Sequence, residues 1–340
     1  MILINNEECV YPDLSNLFTI EYVTNEVDRL IDNIPNNIQT FKNILDENIE
    51  PPVLIGRHCE KPNRCSFKEH CWKSVPKFSI FTIPRLFWNK KDELVEEGIL
   101  NLDELSDDNL KLLNTKQQAY VDMVAVNRPK IDTKKIKKEL SDLEYPIHFF
   151  DFETYNPVIP RFEGSSPFQQ IPFQYSCHIL QLNGEVTHHE YLHTDTTDPR
   201  LPLVESLLDH ISDVGSVVVY SASFERKILK DLAQFFSKHS AAIESIISRL
   251  WDQLLIFRNH YQHPEFLGSN SIINVLPVLV PSLSYKELGV RNGGDAQIVW
   301  DLMIRNINEK EKSNMIHDLR KYCELDTLAM VEIHKVLVQL

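Results

Sequence analysis

The strongest constraint on the fold is a change of pattern near residue 140, after which strand-like and helix-like stretches alternate. Ile147–Glu153 is a short apolar run, and two more runs, Gln174–Leu182 and Val186–Thr194, flank an Asn-Gly turn typical of a β-hairpin. An amphipathic helix follows, and then Ser216–Tyr220, whose three consecutive valines are typical of a buried strand. Three strands, a helix, a strand and then helices predict an α/β fold with a mixed sheet flanked by helices.

The first 140 residues have a mainly helical pattern instead. Residues 1–50 are polar with a helical apolar rhythm, and residues 51–76 are rich in Pro, Cys, His and Trp. We therefore predict a smaller, mainly helical N-terminal domain at 1–140 and an α/β domain at 141–340. Helices are predicted in the two parts at Phe78–Phe87, Lys90–Glu97, Ser106–Leu113, Lys116–Val126, Leu201–Ile211, Phe224–Phe236, Ala241–Phe257 and Glu309–Leu340.

Composition excludes several classes of protein. The net charge of −14 argues against a sequence-blind, electrostatic nucleic-acid coat, but not against an enzyme with acidic metal ligands. No stretch is apolar enough to span a bilayer and the first residues lack a basic leader, so we expect a cytoplasmic protein without membrane contact. Six cysteines are too few for a disulfide scaffold, and nine glycines argue against a Gly-rich phosphate loop.

Two carboxylates lie on the first predicted strand of the α/β part. Asp151 and Glu153 are two residues apart, so the period of a strand points both to one face. Like charges side by side on an apolar strand are costly unless a cation lies between them, and carboxylate oxygens suit Mg²⁺ or Mn²⁺. The alternative is a pair of solvent-exposed acids at a strand end.

Further candidate residues occur later in the chain. Tyr322 and Asp326 are i and i+4 on a long amphipathic helix and therefore share a face. Glu225 falls at the start of the helix after the valine-rich strand, where the helix dipole favours an acid. Each feature also has an ordinary structural explanation: a half-buried tyrosine bonded to a helix aspartate, and a first-turn glutamate.

Taken in order, these motifs resemble those of the DEDD exonuclease superfamily. Phe149-Phe-Asp-Phe-Glu-Thr154 is similar to its first motif, and Tyr322-x-x-x-Asp326 to its third motif in the tyrosine (DEDDy) form. Ser221-Ala-Ser-Phe-Glu225 looks like the second motif, with serine in place of the usual asparagine and glutamate in place of the usual aspartate. The resemblance covers roughly residues 145–340 and implies a ribonuclease-H-like fold.

The resemblance also implies a chemistry: 3′→5′ hydrolysis of single-stranded DNA or RNA by two Mg²⁺ or Mn²⁺ ions. Asp151, Glu153, Glu225 and Asp326 would hold the ions, and Tyr322 would orient or help activate the attacking water. Candidate base-stacking residues are Phe152, Phe162 and Phe168, with a core position favoured for Phe152, and candidate phosphate contacts are Lys286 and the loop 289–295.

Other short segments look like an uncharacterised bacterial domain-of-unknown-function family whose long members join a RecB-like nuclease half to a DEDDy half. They are Ile159-Pro-Arg-Phe-Glu-Gly, Gln169-Gln-Ile-Pro-Phe-Gln and Tyr322-Cys-Glu-Leu-Asp-Thr. In those RecB-like halves a C-terminal cysteine triplet closes an iron–sulfur cluster. The N-terminal region here would then be a remnant of the C-terminal part of such a nuclease.

The cysteines in question are Cys59, Cys65 and Cys71, each separated from the next by five residues. The segment looks like the cluster-closing triplet, with Cys9 as a candidate fourth ligand. Zn²⁺ held with His58 or His70 is a second interpretation, and a metal-free loop is a third. For the whole chain, two rival functions stay open: a catalytically weak nucleic-acid-binding scaffold, and a metal-cluster interaction module. The sequence does not identify protein partners.

Overall fold

A computed structural model describes residues 1–47 and 49–340. It divides the chain into two compact units, the first formed by Met1–Val121 with Val158–Pro167 and the second by Asp122–Pro157 with Phe168–Leu340. The boundary predicted near residue 140 falls inside the second unit. Among the described residues, no helix is both long enough and apolar enough to cross a membrane.

The first unit combines a short hairpin with helices. Two strands at its N-terminus pair antiparallel, with Ile2 opposite Ile20. Its elements are β1 (Ile2–Ile4), β2 (Phe18–Ile20), α1 (Thr24–Ile31), α2 (Ile34–Asp46), α3 (Lys68–Cys71), α4 (Trp88–Glu96), α5 (Asp107–Lys111) and α6 (Thr115–Ala125), within which the division between the units falls. The mainly helical pattern predicted for residues 1–50 is thus wrong for the first twenty, whose β-branched isoleucines favour strands.

The second unit is α/β and is built on a mixed five-stranded sheet. The sheet contains β4 (Ile147–Tyr155), β5 (Ile171–Leu180), β6 (Val186–Leu192), β7 (Val217–Val219) and β8 (Leu250–Asp252). Their order is β6-β5-β4-β7-β8, with β4, β5 and β6 antiparallel and β4, β7 and β8 parallel. The predicted mixed sheet flanked by helices is confirmed at this level.

Helices cover both faces of this sheet. They are α7 (Thr133–Ser141), α8 (Arg200–His210), α9 (Ala222–Phe235), α10 (Ser240–Ser248), α11 (Leu254–Asn259), α12 (Ile272–Leu279), α13 (Gly293–Arg305) and α14 (Glu309–Val338), and a two-stranded ribbon joins β3 (Lys130–Ile131) to β9 (Tyr261–Gln262). Helices α8, α9 and α10 pack on one face, around Phe150 and Phe152. The long helix α14 packs on the other, where Met330 and Val331 contact Ile147 and Phe149.

Two predicted helices are wrong. Ala241–Phe257 is interrupted by β8, which pairs parallel with the triple-valine strand β7. Because β7 is fully buried between two sheet neighbours, the backbone pairing it needs outweighs the local helical pattern. In Phe78–Phe87 only Ile80–Thr82 forms a single 3₁₀ turn, since Pro84 forces the residue before it out of the helical conformation.

Candidate active site

The central strand β4 presents two carboxylates to the α14 side of the sheet. Asp151 and Glu153 alternate with Phe150 and Phe152, whose rings pack in the core on the opposite face. Both carboxylates line a cavity of about 350 Å³. Period-2 geometry therefore brings the two acids to one site, in an environment where each is largely removed from water.

Helix α14 supplies a second pair of groups to the same cavity. Tyr322 and Asp326 both line it, one helical turn apart. The helix is held on the sheet by a buried hydrogen bond in which the Gln174 side-chain amide donates to the carbonyl of Leu319, at 3.0 Å. Amphipathic packing thus places the tyrosine and aspartate opposite the carboxylates of β4.

Glu225, in the first turn of α9, is not among the lining residues of the cavity but lies close enough for its charge to act on Asp151 and Glu153. The residue before that helix, Ser221, has a positive φ of 87°, which turns the chain sharply out of β7. Asp252 at the end of β8 fixes this turn, because its carboxylate accepts hydrogen bonds from the backbone N–H of Ser221 at 2.9 Å and of Ala222 at 3.1 Å. The neighbouring strand therefore sets the position of Glu225.

The described residues that form the walls of the cavity carry oxygen and amide groups. Besides Asp151, Glu153, Asp326 and Tyr322, the lining includes Thr154, Asn156, Gln170 and Gln297 as polar residues and Phe224, Ile272 and Met330 as apolar ones. None of the described lining residues is lysine, arginine or histidine. The negative charges consequently have no basic partner at the cavity wall.

The pKa values of all four acids are raised. Burial raises the pKa of Asp151 well above its ordinary range, and the charges of Asp326, Glu225 and Glu153 raise it further. Burial, followed by the charges of Asp326 and Glu225, does the same for Glu153. Burial raises the pKa of Glu225 to about 8, with a contribution from Asp252, and raises that of Asp326 to about 7.

A divalent cation fits this donor set. Glu225 is only 2% exposed, and its buried Oε2 accepts no hydrogen bond from any described residue. A buried carboxylate oxygen without a partner costs free energy unless a proton or a cation compensates it. Four carboxylates are a hard oxygen set of the kind that binds Mg²⁺ or Mn²⁺.

Two further residues lie in this cluster that were not among the candidates predicted from the sequence. Tyr285 donates a hydrogen bond from its hydroxyl to Oδ1 of Asp326 at 2.7 Å, and the Tyr322 hydroxyl also hydrogen-bonds this carboxylate. Cys323, which follows Tyr322 on the same helix, offers a sulfur within 4.8 Å of carboxylate oxygens of Asp151 and Glu153. Tyr285 lies in an irregular segment whose path no local pattern predicts.

Protonation limits what these residues can do in the absence of a cation. Burial raises the pKa of Tyr322, and so does the charge of Asp326, so the phenol keeps its proton and acts as a donor. Burial likewise raises the pKa of the Cys323 thiol, followed by the effect of the carboxylate of Glu153. Tyr322 is therefore suited to orient a water or a carboxylate rather than to accept a proton.

The aromatic and basic candidates have different locations. Phe152 packs in the core as favoured, Phe162 is buried within the first unit, and Phe168 is exposed. Of the aromatic residues that line the cavity, Phe224 is the most exposed, at 36%, and it was not among the candidates predicted from the sequence.

Of the candidate phosphate contacts, the loop 289–295 contributes Gly293 to the cavity, next to Glu153, whereas Lys286 is not among the lining residues.

The cysteine segment lies in the first unit. Cys59 is buried and its carbonyl accepts a hydrogen bond from the backbone N–H of Cys65 at 3.0 Å, while Cys71 ends α3. Among the described residues, no three ligand atoms of this segment, with Cys9 or His70 included, lie within 4.8 Å of one another. His70 instead contacts the carboxylate of Glu50 at 3.0 Å. The side chains are thus not gathered as tetrahedral zinc ligands would be, and metal binding here stays a prediction.

Comparison with known proteins identifies similar chains but assigns them no activity. Residues 148–271, which include three of the four acids, match a family described as "Domain of unknown function (DUF2779)". The uncharacterized protein UU173 of Ureaplasma parvum is 29% identical over 239 residues, which cover 64% of this chain and 32% of that protein. The uncharacterized protein MG366 of Mycoplasma genitalium is 26% identical over 221 residues, covering 58% of this chain and 33% of that protein. The chain therefore spans about a third of the length of these relatives, and no solved structure matches it significantly.

Proposed function

We propose that the second unit is a metal-dependent 3′→5′ exonuclease of the DEDDy type, acting on single-stranded DNA or RNA. The observation that carries this proposal is a cluster of four acids: Asp151, Glu153 and Asp326 line one cavity, and Glu225 lies close enough for its charge to raise the pKa of Asp151 and Glu153. None of the described residues that line the cavity is cationic. Such a cluster of like charges destabilises the folded protein unless a cation compensates it, and strongly raised carboxyl pKa values are typical of functional sites.

The sheet supports a ribonuclease-H-like assignment. Three antiparallel strands followed by two parallel ones, in the order β6-β5-β4-β7-β8, have helices on both faces. The acids lie on the central strand, on the helix after the next parallel strand, and on the last long helix. That distribution agrees with the order of the three motifs in the sequence.

The proposed reaction is hydrolysis of a phosphodiester bond. Bound divalent ions would supply Lewis-acid activation of water and stabilisation of charge on the departing 3′ oxygen. The four carboxylates would hold the ions, and Tyr322 and Tyr285 would fix the carboxylate of Asp326 by donating hydrogen bonds to it. Phe224, partly exposed at the cavity wall, is placed to stack on a terminal base.

The direct test is a time course on 5′-labelled single-stranded DNA and RNA oligonucleotides with Mg²⁺ or Mn²⁺. We expect a ladder that shortens from the 3′ end, and the preferred sugar follows from the faster substrate. Chelation by EDTA, Asp151→Asn and Asp326→Asn should each reduce cleavage to background. Asp209→Asn, at an exposed position on α8, is the matched control and should retain full activity.

The rival function, a nucleic-acid-binding scaffold without catalysis, is distinguished from an exonuclease by measuring binding of the same labelled oligonucleotides by fluorescence anisotropy. If the wild-type protein binds them but cleaves neither substrate with either metal, the chain is a nucleic-acid-binding scaffold and the exonuclease proposal fails. Cleavage that survives in both aspartate variants would point to a contaminating nuclease and would refute the proposal equally.

A further inference from the structure

A second cluster of potential ligands lies on the same face of the sheet, toward its β6 edge. His178 of β5 and His188 of β6 are direct cross-strand partners, and their rings stack with centroids 4.3 Å apart. Glu324 of α14 approaches the same point. One ligand atom from each of the three side chains lies within 4.8 Å of the other two.

Hydrogen bonds with two hydroxyl groups fix the protons of both imidazole rings. Thr327 Oγ1 contacts the carbonyl of Glu324 at 3.2 Å, Ser176 Oγ at 2.6 Å and Nδ1 of His178 at 2.7 Å. A carbonyl can only accept, so all three contacts are hydrogen bonds together only if the single proton of the threonine hydroxyl goes to it. Ser176 Oγ and His178 Nδ1 must then donate to the threonine oxygen.

The same reasoning extends to the second histidine. Because Ser176 gives its proton to Thr327, its oxygen accepts from Nε2 of His188, which lies 2.9 Å away. Each ring thus carries its proton on the nitrogen that faces a hydroxyl group. The lone pairs remain on Nε2 of His178 and Nδ1 of His188, and a neutral histidine with its tautomer set by a neighbouring group is the form that binds metals.

We propose that His178, His188 and Glu324 bind one divalent transition-metal ion of the Zn²⁺ type. Two imidazole nitrogens and one carboxylate oxygen suit a borderline ion such as Zn²⁺ and are a poor set for Mg²⁺, which prefers oxygen ligands. Oε2 of Glu324 forms an ion pair with the exposed ammonium of Lys321 at 2.9 Å. The other carboxylate oxygen of Glu324, Oε1, can therefore bind the ion. The histidine–glutamate site is chemically distinct from the carboxylate cluster, and its metal preference does not depend on the proposed nuclease activity.

The burial of the three residues agrees with a site that an ion can enter. His178 is buried, and burial lowers its pKa to about 4, so its ring stays neutral at physiological pH. His188 and Glu324 are partly exposed, which leaves a path from solvent. A bound ion would fasten α14 to the β5–β6 hairpin through Glu324, two residues before Asp326.

The chain provides a matched control for the test. His189 follows His188 but projects from the opposite face of β6, where its ring stacks on His210 at 4.5 Å. His189→Gln therefore removes an imidazole from the same strand without touching the proposed site. His188→Gln and Glu324→Gln change partly exposed ligands, and far-UV circular dichroism would verify that both variants fold.

The experiment is a titration of the EDTA-stripped full chain with Zn²⁺ and Co²⁺, in excess Mg²⁺, against a chromophoric chelator. We expect the wild type and His189→Gln to bind one equivalent more than His188→Gln and Glu324→Gln, or to bind that equivalent at least about tenfold more tightly. The corresponding Co²⁺ spectrum should lack a thiolate charge-transfer band, which separates this ion from one bound by the cysteines.

Three results would overturn the proposal. One is the absence of Zn²⁺ binding by the wild type, and another is wild-type stoichiometry and affinity in both ligand variants. The third is a thiolate charge-transfer band on the equivalent that the variants lose, because that band would assign the ion to a cysteine site.

Discussion

Replacing Asp326 by asparagine should stabilise the metal-free protein even though it removes a proposed metal ligand. Burial raises the pKa of this carboxyl from its ordinary value of 3.8 to about 7. Asparagine keeps an oxygen that can accept the hydrogen bond from Tyr285 but carries no charge. The variant therefore removes the cost of the buried charge while the hydrogen bond from Tyr285 persists.

The sign and size of the effect follow from linkage. A carboxyl whose pKa is raised on folding binds more protons in the folded chain, so stability falls as pH rises from about 4 to about 7 and then levels off. A difference of about 3 between the two pKa values corresponds to at most about 4 kcal/mol. Asp326→Asn should recover up to that amount at pH 8 and almost none below pH 4.

The assay is guanidinium denaturation in EDTA at both pH values, followed by far-UV circular dichroism, with Asp209→Asn as the surface control. Adding Mg²⁺ at pH 8 should stabilise the wild type and leave the variant nearly unchanged, because a ligand that binds only the folded state adds to its stability. If Asp326→Asn is no more stable than Asp209→Asn in EDTA at pH 8, the reasoning about uncompensated buried charge is wrong.

Three further perturbations test other parts of the second unit. His334→Leu should raise the free energy of unfolding by about 1–3 kcal/mol, since both buried ring nitrogens lack hydrogen-bond partners among the described residues. Because burial lowers the pKa of His334 to about 4, the wild type, unlike the variant, should lose stability as pH falls from about 6.5 to 4. Equal pH profiles of stability for the two proteins would contradict this. Ser221→Asn should stabilise the folded protein by roughly 0.5–1 kcal/mol, because asparagine tolerates the positive φ at this position better than serine. Thermal denaturation measures this, and a lower melting temperature for the variant would show that the backbone at Ser221 is not strained. Tyr285→Phe should reduce cleavage roughly tenfold with little change in oligonucleotide binding by anisotropy, through loss of its hydrogen bond to Asp326, and an unchanged rate would remove Tyr285 from the site.

Local sequence patterns were sufficient for the elements that carry the acids. The apolar run around Asp151 and the valine-rich strand before Glu225 both form strands, and the amphipathic pattern around Asp326 forms a helix. In each case burial of one face and local periodicity favour the same structure. The α/β class and the mixed sheet were predictable for that reason.

What the sequence could not provide are contacts set by the packing of distant segments. Strand β8 forms because β7 needs a second neighbour, which no pattern within 241–257 indicates. Tyr285 and Cys323 join the acids only because an irregular loop and a helix face meet there. The two histidines at 178 and 188 are paired by strand register, which depends on the hairpin rather than on their spacing.

The wide separation of the acids along the chain has a consequence for biosynthesis. Asp326 follows Asp151 by about 175 residues (326 − 151), and the groups of α14 join the cluster only when that helix packs on β4. At translation rates of roughly 5–20 residues per second, the ribosome would need roughly 10–35 s to synthesise that interval. Throughout that time the nascent chain displays an incomplete set of ligands. If the proposed nuclease activity is correct, that activity would therefore arise only after α14 has emerged and packed on β4.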